Sequence, residues 1–124
     1  MNNRNKRLTY RDALTIAEGL FSSALNEFQF SAGQAWAFTL DELDSVKNKT
    51  DPKGNIIVLT AIYKLALVNN VELSKSDDYT NDMLLELKES YQQFDECIFD
   101  DLNMSTEERL FLKSDIQLVS NKYL

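Results

Sequence analysis

The sequence contains no histidine and only one cysteine and one proline among its 124 residues. Without histidine, the chain lacks the commonest general base, the usual partner of a nucleophilic serine or cysteine, and every imidazole ligand for zinc. The single cysteine, Cys97, excludes thiolate clusters and an internal disulfide, and its acidic neighbours are expected to raise its pKa. Gly19, Gly33 and Gly54 are too scattered to form a phosphate-binding loop. We therefore expect a protein that is not an enzyme and that uses no cofactor or metal.

The chain also lacks a long hydrophobic run. No stretch approaches the roughly 20 consecutive apolar residues that a membrane-spanning helix needs. The start, Met-Asn-Asn-Arg-Asn-Lys-Arg, is followed by no apolar stretch of the kind found in signal peptides. Together with the single cysteine, which agrees with a reducing compartment, these absences predict a cytoplasmic protein with no membrane association.

What the sequence does contain is the composition of one folded domain. Hydrophobic residues make up 44% of the chain and charged residues 27%, which supplies enough apolar surface to offset chain entropy. A length of 124 residues fits a single core. Residues 1–8 are polar and basic, so we predict a flexible basic arm over residues 1–8 and a single helical domain over residues 9–124.

Apolar side chains recur at alternating spacings of three and four residues along most of this domain, as they do in amphipathic helices. The first of these helices is predicted to begin with Thr9 as N-cap and Asp12 in the first turn. The last begins at a capping box formed by Ser105 and Glu108. Between them, one long helix is predicted to run through residues 84–102. The apolar faces of the three helices are Leu14, Ala17, Phe21, Ala24 and Phe28; Leu84, Leu87, Tyr91, Phe94, Ile98 and Leu102; and Leu112, Ile116, Val119 and Tyr123.

Residues 56–68 are apolar on nearly every side, which favours a central helix that other helices surround and that Asn69-Asn70 ends. A break at residues 47–55 precedes it, with Asp51 as a candidate N-cap and Pro52 as a candidate first helical residue. The alternative is a hairpin strand after the turn Asp-Pro-Lys-Gly. We predict an all-α fold, a single compact domain of about four or five helices around this central apolar helix.

The stretch from residue 27 to residue 40 is ambiguous. Large aromatic residues alternate with small or polar ones around Ser31-Ala32-Gly33, a pattern typical of two short strands joined by a turn, and a hairpin there would make the fold α+β. Against this, the pattern Thr39-x-x-Glu42 predicts the start of a short helix. We favour a loop or broken helix that leads into this short helix.

Four large aromatic residues lie within the same stretch, namely Phe28, Phe30, Trp36 and Phe38. We expect them to fill the core between the first helix and the central helix. The alternative is an exposed anchor at a protein interface, where aromatic side chains contribute much of the binding energy.

Acidic residues outnumber basic ones by 20 to 13, and the resulting net charge of −7 is unevenly distributed. Residues 1–11 contain four basic residues and no acidic one. Residues 77–108 contain eleven acidic residues and one basic residue, Lys88, for a local net charge of −10. This local charge exceeds in magnitude the charge of the whole chain, so a single segment accounts for the acidity of the protein.

The spacing within this acidic segment places polar residues on one face of the predicted long helix, opposite its apolar face. Steps of four, three, four, three and four residues separate Asp82, Glu86, Glu89, Gln93, Glu96 and Asp100. Solvated helix faces usually place lysine four residues from glutamate, whereas two pairs here are like-charged at that spacing and cost about 0.2–0.5 kcal/mol each. We predict that this stripe, together with Asp101 in the following turn, binds a basic partner protein. The alternative explanation is solubility.

The segment Asp101-x-Asn103-x-Ser105 matches the first three ligand positions of a calcium-binding loop. The sixth position of such a loop requires glycine and is Thr106 here, and the twelfth requires a bidentate glutamate and is Leu112. We therefore predict that this segment caps the last helix instead.

These features lead to two hypotheses about function. The first is a non-enzymatic binding protein that acts as a stoichiometric inhibitor or neutraliser of a basic protein, of the immunity, antitoxin, anti-defence or nucleic-acid-mimic type. The second is a structural or assembly accessory, such as a small chaperone or a self-associating subunit, that would use the aromatic residues. Direct nucleic-acid binding is not expected, because the few charges of the arm bind weakly and the acidic body repels phosphate.

Overall fold

A computed structural model describes residues 8–47, 55–73, 78–95 and 97–124. The described residues form six α-helices and no strand, which confirms the all-α class and adds one helix to the expected number. Neither hairpin alternative occurs among them. The helices are α1 (Tyr10–Asn26), α2 (Ala32–Lys47), α3 (Asn55–Val68), α4 (Asp78–Gln92), α5 (Cys97–Asp101) and α6 (Thr106–Tyr123).

Helix α3 is the centre of the fold, as its sequence predicts. It packs against α1, α2, α4 and α6. Because neighbours cover it on all sides, an apolar side chain is favourable at almost every position, and the usual polar face is missing. Its buried residues are Ile56, Ile57, Val58, Leu59, Thr60, Ala61, Ile62, Tyr63, Leu65 and Ala66.

The predicted starts of α1 and α6 are confirmed. The Asp12 N–H donates to Thr9 Oγ1 at 3.1 Å, so Thr9 caps α1. The Glu108 N–H donates to Ser105 Oγ at 3.1 Å, so Ser105 caps α6. Each side-chain oxygen satisfies one of the backbone donors that the first turn of a helix leaves without an internal partner.

Asparagine ends two of the helices in the left-handed backbone conformation. Asn70 has φ 53°, and the Val71 N–H donates to the Ala66 carbonyl at 2.9 Å, which confirms the predicted end of α3. Asn103 also has φ 53°, and the Met104 N–H donates to the Phe99 carbonyl at 2.9 Å. This geometry is the Schellman motif, in which asparagine can replace the more common glycine.

The segment that resembles a calcium loop is thereby explained. Asn103 ends α5, and Ser105 begins α6 two residues later. Asn103 and Ser105 therefore belong to adjacent helix caps, and Ser105 caps the last helix as predicted.

The single long helix predicted through residues 84–102 is wrong, because the chain breaks after Gln92 and starts α5 at Cys97. The Asp95 carboxylate accepts the Cys97 N–H at 3.0 Å and so offers the backbone an alternative to continuing the helix. The rings of Phe94 and Phe99, one on either side of the break, pack edge to face at 5.4 Å. This contact stabilises the change of direction.

The start of α2 also differs from the prediction. Its capping box is formed by Ser31 and Gln34, where the Ser31 N–H donates to Gln34 Oε1 at 3.0 Å and the Gln34 N–H donates to Ser31 Oγ at 3.2 Å. Thr39, the predicted cap, lies buried inside α2, and its hydroxyl donates to the Ala35 carbonyl at 2.8 Å. The expected loop or broken helix before residue 40 is therefore mostly one continuous helix.

Part of the predicted organisation falls outside the described residues. Residues 1–7 of the predicted arm do so, as do the candidate cap Asp51 and its neighbour Pro52. Leu8, assigned to the arm by its sequence, is half-buried and packs against the core. The packed part of the chain thus includes Leu8.

Candidate functional site

The outer surface of α4 brings together the first part of the predicted partner-binding stripe. Asp82 and Glu89 are exposed, and Glu86 is half-buried between them. Met83 and Leu87 point the other way and are buried in the core. We call the surface formed by Asp82, Glu86 and Glu89 the acidic face. Gln93, which follows α4 directly, is exposed as well and extends this surface by one turn.

The second part of the predicted stripe does not continue on the same helix. Asp100 and Asp101 are exposed at the end of α5, beyond the break. Glu96 lies outside the described residues. A continuous stripe from Asp82 to Asp100 is therefore wrong, because the helical spacing that would align these residues is interrupted at residues 93–95.

Acidic residues beyond the break form ion pairs with arginine, unlike the exposed carboxylates of α4 among the described residues. Arg109 Nη2 lies 2.9 Å from Asp100 Oδ1, and Arg109 Nε donates to the Met104 carbonyl at 2.9 Å. Arg11 Nη2 lies 3.7 Å from Glu107 Oε1. These arginines offset part of the negative charge at the turn between α5 and α6.

Two carboxylates of the acidic face, those of Asp82 and Glu89, have no comparable balance. Lys88 is the one basic residue in the sequence of α4. In the described part of the chain, neither Asp82 nor Glu89 takes part in an ion pair. The two carboxylates are therefore solvated and available for a basic group from outside.

The one cysteine of the chain lies at the break and is exposed. A hydrogen bond to the Asp95 carboxylate, with the charge of that carboxylate, raises the pKa of the Cys97 thiol, which confirms the expected direction. The Cys97 N–H bonded to Asp95 lowers the pKa of that carboxyl. Because the thiolate is the reactive form, this environment makes the thiol a poor nucleophile.

A buried polar cluster is the site that the sequence did not predict. Asp115 of α6 is only 2% exposed. Its Oδ2 accepts the Tyr10 hydroxyl at 2.7 Å, and its Oδ1 forms an ion pair with Lys64 Nζ. Burial and the bond to Asp115 both raise the pKa of the Tyr10 phenol. These contacts of Asp115 with Tyr10 and Lys64 link α6 to α1 and α3.

A second polar contact joins α3 to α4. The hydroxyls of Thr60 and Tyr91 are 2.7 Å apart and share a hydrogen bond. Burial raises the pKa of the Tyr91 phenol, although the bond to Thr60 opposes this. This contact fixes α4, and with it the acidic face, on the central helix.

The four aromatic residues of the ambiguous stretch divide between core and surface. Trp36 is buried, and its Nε1–H donates to the Ile62 carbonyl at 3.0 Å, as expected for a core residue. Phe28 is 51% exposed and Phe30 is 36% exposed, so the expectation that all four fill the core is wrong for these two. Both follow α1 in the turn that leads to α2. Phe38 is half-buried beside them.

The described ranges contain no candidate membrane-spanning helix and no candidate metal-binding cluster. None of their helices combines the length and apolar character that crossing a membrane requires. Within the same ranges, no group of three or more acidic or cysteine side chains has the arrangement of a metal site.

Comparison of the chain with protein-family models, with curated proteins and with solved structures found no match.

Proposed function

We propose that this protein is a non-enzymatic binding protein that inhibits or neutralises a basic partner protein in the cytoplasm. The observation that carries the proposal is the acidic face of α4, where Asp82 and Glu89 are exposed and no ion pair from the described residues involves them. A solvated surface of one sign attracts an oppositely charged protein, accelerates the encounter and disfavours acidic competitors.

The charge density of the acidic face favours a basic protein surface over strict imitation of DNA. Asp82, Glu86 and Glu89 follow one another about every 5 Å along the axis, given a rise of 1.5 Å per residue. Duplex DNA carries one negative charge per about 1.7 Å of its axis. The acidic face therefore supplies about a third of that density, which suits a small number of lysine or arginine contacts.

The position of the acidic face also fits an inhibitor. Helix α4 is held on α3 by the buried residues Met83 and Leu87 and by the bond between Tyr91 and Thr60. A surface fixed in this way loses little conformational freedom when a partner binds. The entropy cost of ordering its side chains and backbone is therefore small.

The proposal is tested by reversing charge on the acidic face. The variant Asp82→Lys with Glu89→Lys changes two exposed positions, and its matched control, Glu18→Lys with Glu72→Lys, makes the same change in net charge at two exposed positions elsewhere. Each protein is immobilised, a basic protein retained from the native host is identified, and the dissociation constant is then measured with that protein purified.

We expect the control to bind within about twofold of the wild type and the Asp82, Glu89 variant to bind at least tenfold more weakly. The affinity of the wild type is expected to fall steeply between 0.05 and about 0.5 M salt, because the Debye length shortens over this range. Equal affinity of the wild type and the Asp82, Glu89 variant for the partner would overturn the proposal. Fractionation of the native host, with the protein found outside the cytoplasm, would overturn the proposed location.

A further inference from the structure

A second exposed surface, distinct from the acidic face, lies at the turn that connects α1 to α2. Phe28, Phe30 and Phe38 meet there in a triangle whose ring centroids are 5.6, 5.7 and 6.1 Å apart. We call these three residues the aromatic surface. Phe28 is 51% and Phe30 is 36% exposed, so two neighbouring rings face solvent while Phe38 connects them to the core. Adjacent exposed aromatic rings are more typical of a binding site than single apolar residues are.

The backbone that carries these rings is fixed on both sides. The Phe28 N–H donates to the Ser23 carbonyl at 3.3 Å, and the Phe30 N–H donates to the Ala24 carbonyl at 3.0 Å. Gln29 between them has φ 56°, a conformation that a non-glycine residue adopts at some energetic cost. The capping box at Ser31 holds the next residue in place. The rings are thus presented on a rigid turn, which reduces the entropy lost on binding.

The surroundings of the aromatic surface are acidic. Residues 12–46 contain six acidic residues and no basic one. Glu27 directly precedes Phe28 and is exposed, and Asp41 and Glu42 are exposed one helical turn beyond Phe38, on the same side of α2. An apolar centre bordered by negative charge is complementary to an apolar group bordered by positive charge.

This charge distribution argues against other occupants. A second copy docked face to face through the same surface would bring Glu27, Asp41 and Glu42 close to their own equivalents, since a two-fold interface repeats one patch on both subunits. Nucleic-acid bases that stack on the rings would bring their phosphates against the same carboxylates. Anionic lipid headgroups would meet the same repulsion.

We infer that the aromatic surface binds a basic amphipathic segment of a partner protein. An apolar side chain of that segment packs among Phe28, Phe30 and Phe38, and its lysine or arginine residues lie opposite Glu27, Asp41 and Glu42. This mode corresponds to an amphipathic helix laid on an apolar site, with the charged residues providing orientation. The inference adds a second binding surface and is independent of the acidic face of α4.

The test uses a synthetic amphipathic helix of lysine and leucine as the probe. A fluorescently labelled peptide of this composition is titrated with the full chain and followed by fluorescence anisotropy. The variant Phe28→Ser with Phe30→Ser removes the exposed rings, and both positions are exposed enough to change without opening the core. The matched control is Val68→Ser with Leu110→Ser, which removes two apolar side chains that are 60% and 64% exposed elsewhere. A peptide with glutamate in place of lysine is the charge control.

We expect the wild type and the control variant to bind the lysine peptide within about twofold of each other, and the Phe28, Phe30 variant to bind at least tenfold more weakly. The glutamate peptide should not bind. The variant Asp41→Lys with Glu42→Lys should weaken binding of the lysine peptide, whereas the Asp82, Glu89 variant should leave it within about threefold. This last comparison separates the aromatic surface from the acidic face, so either proposal can fail alone.

Three results would overturn the inference. The first is equal affinity of the wild type and the Phe28, Phe30 variant for the lysine peptide. The second is a concentration-dependent dimer in sedimentation that the Phe28, Phe30 variant abolishes, since a second copy would then occupy the surface. The third is binding to phosphatidylcholine or phosphatidylserine vesicles that requires both phenylalanines, since a lipid surface would then be the ligand.

Discussion

The two groups of carboxylates in this protein show how the same chemistry serves two purposes. Asp115 is buried, accepts a hydrogen bond from Tyr10 and forms an ion pair with Lys64. Asp82 and Glu89 are exposed on α4, where the described residues offer no counterion. A carboxylate removed from water must be compensated inside the fold, whereas a solvated one is free to attract another molecule. The contrast predicts that the first group determines stability and the second determines binding.

The largest effect is expected from Asp115→Ala. The substitution leaves the buried Tyr10 hydroxyl without its acceptor and the half-buried Lys64 Nζ without its carboxylate, and breaking a buried pair typically costs up to about 3–5 kcal/mol of unfolding free energy. Urea unfolding followed by circular dichroism measures the change. Asp82→Ala is the matched control on α4 and should change the free energy by no more than about 0.5 kcal/mol.

A double replacement tests whether the cost comes from the unpaired partner. Asp115→Leu combined with Lys64→Met removes both charges and keeps apolar volume, and it should recover most of the stability that Asp115→Ala loses. If Asp115→Ala and Asp82→Ala cost the same, the contrast between buried and exposed carboxylates does not hold.

A second prediction concerns alkaline pH. Burial raises the folded-state pKa of Tyr10 and Tyr91 above the ordinary value near 10, so the folded protein keeps these phenol protons while the unfolded chain releases them. The stability contribution of each phenol is therefore fully present below pH 10 and is lost as the pH rises, at up to about 1.4 kcal/mol per pH unit for each group. Urea unfolding at pH 9, 10 and about 11 should show this loss.

Tyr10→Phe is the variant that checks this explanation. It lacks the ionisable group, so above pH 10 its stability should fall less steeply with pH than that of the wild type, even though its stability at pH 7 is lower because Asp115 loses a donor. An unchanged slope above pH 10 would mean that Tyr10 does not cause the alkaline loss.

The sequence predicted those parts of the fold in which burial follows from periodicity. Helix α3 is apolar on nearly every side and is buried along most of its length, so its central position could be inferred without coordinates. The caps at Thr9 and Ser105 were predictable because each depends on residues only three positions apart. Such features depend either on residues close together in the sequence or on a spacing that repeats along a helix. Both can be recognised from the sequence alone.

Other features depend on competition between local signals or on contacts distant in sequence. Ser31 and Thr39 both match a capping box, and burial of Thr39 decides in favour of Ser31. The apolar spacing would continue one helix past Gln92, but α4 ends there, and the Asp95 carboxylate accepts the Cys97 N–H where α5 begins. Asp115 pairs with Lys64 and Tyr10 across 51 and 105 residues, so nothing nearby in the sequence marks it as buried.

Of the two candidate surfaces, the acidic face could be predicted from the sequence and the aromatic surface could not. The acidic face of α4 followed from helical spacing, and it holds as far as Gln93 because α4 itself is regular. The exposure of Phe28 and Phe30 did not follow from the sequence. It depends on the turn at Gln29, which directs two apolar side chains away from the core after α1 has ended.

The smallest expected effect on stability gives the sharpest test of the contrast between the buried carboxylate of Asp115 and the exposed carboxylates of Asp82 and Glu89. In the Asp82→Lys, Glu89→Lys variant, the repulsion between residues 82 and 86 becomes an attraction, and a pair at this spacing contributes about 0.2–0.5 kcal/mol. The variant should therefore be as stable as the wild type or slightly more stable in urea unfolding, while its affinity for a basic partner falls. A gain in stability with a loss of binding is the behaviour of residues kept for function at a small cost to the fold. A loss of more than about 1 kcal/mol would instead assign Asp82 and Glu89 a role in folding like that of Asp115.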